Sequence, residues 1–468
     1  MTLPIRPLLA LLASYVLVLS LQSSWGFFST RAFIGAMAAL MLAWTACQLP
    51  DRPGKTIRFR SGTHIALDLV FPIFSFCTIT LFVVATMSTQ LMYADGREPG
   101  WSLAWYPILA SVALLLCLRA DWCQEPTSWG YPLVLTAAFT LAIACRTDVL
   151  MRSPNPVIDV FAWLRDSADH LLAGRNPYAH SIETPYGTPR AFQYGVYEPP
   201  DPRPPAYPPI PILISAVPRI VKLDVRWANI IAELLAAGAM AGVGWRRERP
   251  WLGLAAAVTF LNLPRSTWMI EQAWYEPMLA ALYGLGFWLS DYSGWRRYVG
   301  GTMLGLGLTA KQFGLPLLFP IAGSMRLQWR SLLIGLAVAG LVIVPFFVAS
   351  PGDFLDIVVA KHMNRFPQYH SLTIGTAVHQ WLNLNLPRWF TWALAIAIIL
   401  SVCWRRADRP AVAALATGTS LLTFSLCHTQ GYPNYFYLCN FLWLLGFVAL
   451  LDPSPKPDPI ETPPSHMK

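Results

Sequence analysis

The sequence predicts an all-α, polytopic membrane protein, on the strength of three observations. Of its 468 residues 55% are hydrophobic and 13% charged, and the mean hydropathy is +0.45, too apolar for an ordinary soluble chain. The apolar residues gather in runs of about 17–25, the length a helix needs to cross ~30 Å of hydrocarbon. Strict apolar–polar alternation, the mark of a transmembrane barrel, does not occur.

Apolar runs near 8–25, 32–49, 65–89, 101–118 and 130–149 read as five spans. The first has Arg6 as its only charge and no small-x-small cleavage site after it, so it reads as a retained span rather than a signal peptide. The loop 51–64, DRPGKTIRFRSGTH, carries four basic residues against one acidic, which marks it as cytoplasmic. Counting from it puts the N-terminus inside and the segment after the fifth span outside. That segment, within 150–207, is a long polar interruption rich in Tyr, Trp, Pro and carboxylates. The piece 208–221 holds four prolines and is short, so it predicts an interfacial or re-entrant helix. Further spans follow at 225–244, 251–270, 273–289, 331–350, 388–404, 410–428 and 435–451, with a second external loop over 351–387. Between them YVGGTMLGLGLTAKQFGLPLLFPIAGSMR reads as two short helices with Lys311 at the outer turn. The total is roughly 12–14 transmembrane helices with both ends inside. The organisation expected is 1–125 as N-terminal helices of unassigned role, 126–451 as the main membrane module, and 452–468 as a disordered cytoplasmic tail.

Net charge is +9, but the basic residues are dispersed over short loops, as orientation signals are, and this excludes a nucleic-acid partner. The eight cysteines fall nearly all inside apolar runs without metal-ligand spacing, so neither a zinc site nor a disulfide framework is expected. No metal or cofactor is called for.

The candidate residues lie at the outer ends of spans, where an ionisable group costs free energy and is functional by default. Asp159 opens VIDVFAWLRDSADHLLAG, an amphipathic helix whose apolar stripe is Val160, Trp163, Leu164, Ala168, Leu171 and Leu172. An Asp there either caps the helix or serves as a catalytic base. GRNPY ends the helix at Gly174, and PPAYPPIP enters the membrane extended with Tyr207 at its lip. Lys311 needs a counter-charge, either a lipid phosphate or one of Glu271 and Glu276. Those two, flanking Gln272, are five apart and do not share a helix face. His428, in CHTQGYPNYFY with Tyr432 and Asn434, binds phosphate or fixes a turn.

These stretches together resemble the C-type glycosyltransferase superfamily. They are most similar to glycosyltransferase family 87, the polyprenol-phosphate-mannose-dependent α-mannosyltransferases. The similar parts are IDVFAWLRDSADHLLAGRNPY followed by YPPIPILI, the short pair GLTAKQFGLPLLFP, and HTQGYPNYFYLCNFLWLL, and they cover about 130–451. Two departures are a Phe where the family usually has Tyr after the Asp, and four spans ahead of the usual first one. The resemblance implies a large first extracytoplasmic loop of the C-type glycosyltransferase kind. It implies transfer of a hexose, mannose in the family, from a polyprenyl-phosphate-sugar donor to a lipid or glycan acceptor on the extracytoplasmic side of a bacterial inner membrane. The roles it implies are Asp159 as general base, Lys311, His428 and Arg175 (with Arg165) on the donor phosphate, and Trp163, Tyr178, Tyr207, Gln272, Glu276 and Tyr432 along the substrates, with Tyr194 and Tyr197 as further aromatics. The competing readings are a secondary transporter of a polar solute, which calls for related halves and a midplane polar site not seen here, a glycan ligase or polymerase, and a non-catalytic scaffold.

Overall fold

The computed structural model describes residues 5–22, 24, 26–49, 91–94, 101–122, 129–193, 196–263, 266–324, 328–363, 368–403 and 412–451. The expected span at 65–89, the tail 452–468 and Tyr194 lie outside the described residues. Among those described, regular structure is helical throughout, with one isolated antiparallel bridge between Ile182 and Arg203.

Helices α1 (Ile5–Gln22) and α2 (Thr30–Gln48) form an antiparallel hairpin. Ser29 caps α2 by accepting from the Ala32 N–H at 3.1 Å. The facing positions are small, with Ala10, Ala13, Ala32, Ala36 and Ala39 fully buried, which lets the two backbones approach closely. α3 (Trp101–Trp122) and α4 (Gly130–Arg152) pack side by side. α5 (Asp159–Leu172) is the surface helix of the first loop, burying Val160, Trp163, Leu164 and Ala168 as expected and also Phe161, Ala162 and Ser167. Leu172 departs from the expected stripe and is exposed, because the chain turns away at Gly174 (φ +71°). α6 (Pro209–Ile220) packs against α5. At 12 residues it spans about 18 Å, short of a ~30 Å crossing.

α7 (Arg226–Arg246) is followed by α8 (Pro250–Leu261) and α9 (Ser266–Glu271), so the expected span 251–270 is broken. Asn262 turns its side-chain amide back onto the Val258 carbonyl at 2.7 Å, and Pro264 disfavours helix at the residue before it. α10 (Glu276–Ser290) starts after Ala273, whose φ of +56° reverses the chain between the two helices. α11 (Trp295–Thr309) and α12 (Gly314–Ser324) are the expected short pair, with Lys311 in the turn. α13 (Trp329–Ala349) follows. The expected second external loop is largely helical among its described residues. Helical pieces run from Pro351 to Met363, and α14 (Ile374–Leu382) is capped by Thr373 accepting from Thr376 at 3.1 Å. α15 (Arg388–Cys403), α16 (Ala413–Cys427) and α17 (Pro433–Ala449) complete the bundle. α17 is apolar all round and buried nearly all round, as a helix at a bundle centre must be. It also holds α1, since Ser14 Oγ donates to Asn440 Oδ1 at 2.8 Å. Five described helices (α1, α2, α4, α7 and α13) are long and apolar enough to cross a membrane, and α8, α15 and α16 are shorter apolar pieces.

Two features fix the frame behind the cavity. Arg146 on α4 and Glu233 on α7 form a buried ion pair at 2.9 Å. Tyr437 of α17 donates to the other oxygen of Glu233 at 2.9 Å, and Arg146 also reaches Ser266 at 3.2 Å and the Leu261 carbonyl. In addition, α11 and α13 meet backbone to backbone. A Cβ at Gly335 would overlap the Gly301 carbonyl, whereas one at Gly340 of the same helix meets open space. Gly335→Leu is therefore expected to cost about 1–3 kcal/mol through overpacking, and Gly340→Leu little. Thermal unfolding of both variants in detergent checks this, and equal effects would show that the close approach does not matter.

Candidate active site

The helix ends and loops on one side of the bundle enclose a cavity of about 610 Å³. Of the residues named from sequence, Asp159, Trp163, Tyr197, Tyr207, Gln272, Glu276, Lys311, His428, Tyr432 and Asn434 line it.

Asp159 is the first residue of α5, and the cap position belongs to Ile158, which makes no side-chain cap bond. The carboxylate Oδ1 accepts from the Val160 N–H at 2.8 Å. Its Oδ2 lies 4.0 Å from Arg203 Nη2, with 19% of the side chain exposed to the cavity. The Asp159 N–H donates to the Tyr186 hydroxyl at 3.3 Å. Burial raises the Asp159 pKa above the usual carboxylate value, and the Arg203 charge and the Val160 N–H pull against that rise. Burial likewise raises the Tyr186 phenol, so that hydroxyl stays neutral beside the carboxylate. Arg203 is aimed by the Ile182–Arg203 bridge, whose two backbone bonds measure 3.0 and 3.2 Å. Its guanidinium lies 4.7 Å over the Trp163 ring.

An aromatic file leads inward. Trp163 meets Tyr207 edge-on at 5.6 Å, and Tyr207 meets Tyr275 at 4.5 Å. At its end Lys311 is bonded to Glu276 Oε1, which also accepts from Asn434 Nδ2 at 2.7 Å. The Lys311 ammonium sits against the rings of Tyr435 at 4.5 Å, Tyr275 at 4.7 Å and Phe313 at 5.2 Å. Of the counter-charges that sequence left open, Glu276 is the one in contact. Gln312 fixes this turn to the membrane entry by donating to the Ala206 carbonyl at 2.8 Å. His428 stacks on Phe424 at 4.9 Å with Trp392 edge-on at 6.0 Å.

Other expected positions fall elsewhere. Arg175 lies just past the end of α5, exposed and outside the cavity, because the turn at Gly174 carries it outward. Arg165 pairs with its neighbour Asp166 at 2.6 Å and is not a lining residue. Tyr178 is fully buried behind the wall. It donates to the Tyr207 carbonyl and packs on Phe354 at 5.0 Å, so it supports Tyr207 rather than touching the cavity. Glu271 is fully buried and is not a lining residue, and both its oxygens accept backbone N–H groups, from Tyr93 at 2.7 Å and Met92 at 2.9 Å.

Several lining residues were not picked out from sequence. They are Arg203, Tyr186 and Glu198 in the first loop, Lys361, His362 and His370 in the second, and Gln430. His370 faces Tyr432, Nε2 to hydroxyl at 3.3 Å, and His362 Nε2 lies 3.2 Å from the Ala206 carbonyl. Phe27, Met92 and Tyr93 also line the cavity, so the N-terminal region of unassigned role builds part of its wall. The expected Phe after Asp159, Phe161, is buried under α5 and does not reach the cavity. Among the described residues no group of three or more His, Cys, Asp or Glu side chains is placed to hold a metal ion.

No curated protein matches the chain. The crystal structure of ArnT from Cupriavidus metallidurans bound to undecaprenyl phosphate is similar at a TM-score of 0.45 and 16% identity, over 69% of this chain and 59% of that one. The chain thus spans less than two thirds of that protein's length. Residues 206–428, which carry Tyr207, Glu276, Lys311 and His428, match the model of glycosyltransferase family 87, the family that the motifs resemble.

Proposed function

We propose that the chain is a multi-pass membrane glycosyltransferase. It moves a hexose, mannose by family analogy, from a polyprenyl-phosphate sugar to a hydroxyl of a lipid or glycan acceptor. The reaction takes place on the extracytoplasmic face of a bacterial inner membrane. The observation that carries this reading is one cavity, within a chain matching family 87, that joins a partly desolvated carboxylate to cationic groups and a file of aromatic rings.

The acceptor oxygen attacks the anomeric carbon while the bond from that carbon to the phosphate oxygen breaks. The bonding pair leaves with the polyprenyl phosphate, and the acceptor proton passes to Asp159 Oδ2. A phosphate leaving group needs stabilisation of negative charge rather than an acid, and Lys361, His362 and His428 offer it from the cavity wall. Burial gives Asp159 a better proton affinity than an exposed carboxylate has, and the Arg203 guanidinium pulls the other way, toward the ionised form.

Membranes carrying the protein are expected to transfer label from radiolabelled polyprenyl-phosphate-mannose to lipid or glycan. Failure with every polyprenyl-phosphate sugar and acceptor tried would sink the reading. The base assignment also predicts a pH effect. Activity should be present above the Asp159 pKa and fall as pH drops through it. Arg203→Ala removes the charge that favours the carboxylate, so the acid limb of the rate profile should move to higher pH, and Arg203→Lys should move it back. An acid limb unchanged in Arg203→Ala would show that the guanidinium does not act on the titrating group.

A further inference from the structure

The inner end of the cavity holds three buried polar atoms with no hydrogen-bond partner among the described residues: Glu276 Oε2, Asn434 Oδ1 and the Tyr275 hydroxyl. All three residues line the cavity, and the Glu276 side chain is fully buried. Buried polar groups are nearly always satisfied, and those that are not call for an explanation. Here the unsatisfied atoms belong to neighbouring groups, since Asn434 Nδ2 donates to Glu276 Oε1 at 2.7 Å. The assignment of the Asn434 amide follows from that bond, because a carboxylate oxygen can only accept.

Two of the three atoms, a carboxylate oxygen and an amide carbonyl oxygen, are acceptors only. They suit a ligand that brings O–H or N–H donors, and they repel phosphate oxygens. Lys311, the nearest cation, already has its charge matched by Glu276. The pair therefore has no net charge to offer an anion. The rings of Tyr275, Tyr435 and Phe313 line the same cavity around the Lys311 ammonium, and such rings pack on the apolar faces of a sugar.

We propose that Glu276 and Asn434 form a subsite that reads neighbouring hydroxyls of the transferred sugar, with Lys311 holding Glu276 in place rather than binding the donor phosphate. This rests on the glycosyltransferase reading. The donor phosphate then falls to Lys361, His362 and His428, which line the same cavity.

The test is binding of two ligands to purified full-length protein in detergent: an undecaprenyl-phosphate hexose, and undecaprenyl phosphate without sugar. Transfer from the hexose donor and from its deoxy analogues is measured in parallel. Asn434→Ala keeps the Lys311–Glu276 pair and is expected to weaken the sugar-bearing donor at least tenfold. It should also flatten the preference for the full hexose over its deoxy forms and leave undecaprenyl phosphate binding unchanged. Glu276→Gln combined with Lys311→Met removes the pair without leaving a lone charge, and should act in the same direction. Equal weakening of both ligands would mean that the cluster holds phosphate, and would overturn the subsite. If wild type transfers sugar while the variants keep its preference, the subsite falls and the glycosyltransferase reading stands. If wild type binds no sugar-bearing donor, both fall together.

Discussion

Asp159→Asn is expected to lower sugar transfer by about 10²–10⁴-fold, the usual worth of a positioned general base, with donor binding retained. Asn keeps the volume and an oxygen that can accept the Val160 N–H, but it cannot take a proton from the acceptor. The same variant should show an effect on stability with a defined sign. Because burial raises the Asp159 pKa, the folded chain binds this proton more tightly than the unfolded chain. Stability from the group is thus present below the ordinary carboxylate value and is lost as pH rises through the raised one. Above that window Asp159→Asn should unfold no more easily than wild type, while being inactive. Transfer assays beside thermal unfolding separate the two effects. A folded Asn form with wild-type turnover would leave Asp159 as a partner of the helix dipole. The base would then be sought at Glu276, which lines the cavity, before Glu271, both of whose oxygens are taken by backbone N–H groups.

The second large effect is structural. Glu233→Gln strips the counter-charge from Arg146 at a site where both side chains are buried. Removing one partner of such a pair costs about 3–5 kcal/mol, because an uncompensated charge stays behind. The Arg146 guanidinium would retain the Ser266 hydroxyl, the Leu261 carbonyl and the Tyr106 ring at 4.9 Å, none of which carries a negative charge. Replacing the pair together, with Arg146→Met and Glu233→Leu, should recover much of the loss. The measurement is the unfolding midpoint of purified single and double variants. A single variant as stable as wild type would refute the idea that this pair ties α4 to α7.

The parts of the fold legible in the sequence were those set by local rules. The periodicity of α5, the prolines of 208–218 and the polar turn at Lys311 each act within a few residues, and the elements they predict are present. The break in 251–270 was missed because the run is apolar on both sides of Pro264. In the site, proximity along the chain misled. Arg175 lies beside the family-like GRNPY, yet one left-handed glycine turns it outward. Arg203 is 44 residues beyond Asp159 in the sequence and is brought to it by a bridge across an irregular loop. The partner of Lys311 hung on Ala273, a residue with a side chain in the left-handed region, which no pattern rule forecasts. His362 ends a run of short helical pieces and His370 lies in a turn, and neither belongs to a sequence period long enough to mark it.

The bonds made by α17 bear on the order in which the bundle is completed. A polypeptide enters the membrane from its N-terminus, and α17 is the last helix described. Before it arrives, Ser14, Glu233 and Glu276 each lack a partner that only Asn440, Tyr437 and Asn434 supply. A nascent chain stalled after Cys427 would therefore hold Asp159 and Lys311 in a bundle with no centre and an open inner wall. On the proposed reading, a chain lacking α17 is expected to be inactive even though Asp159 and Lys311 are both present.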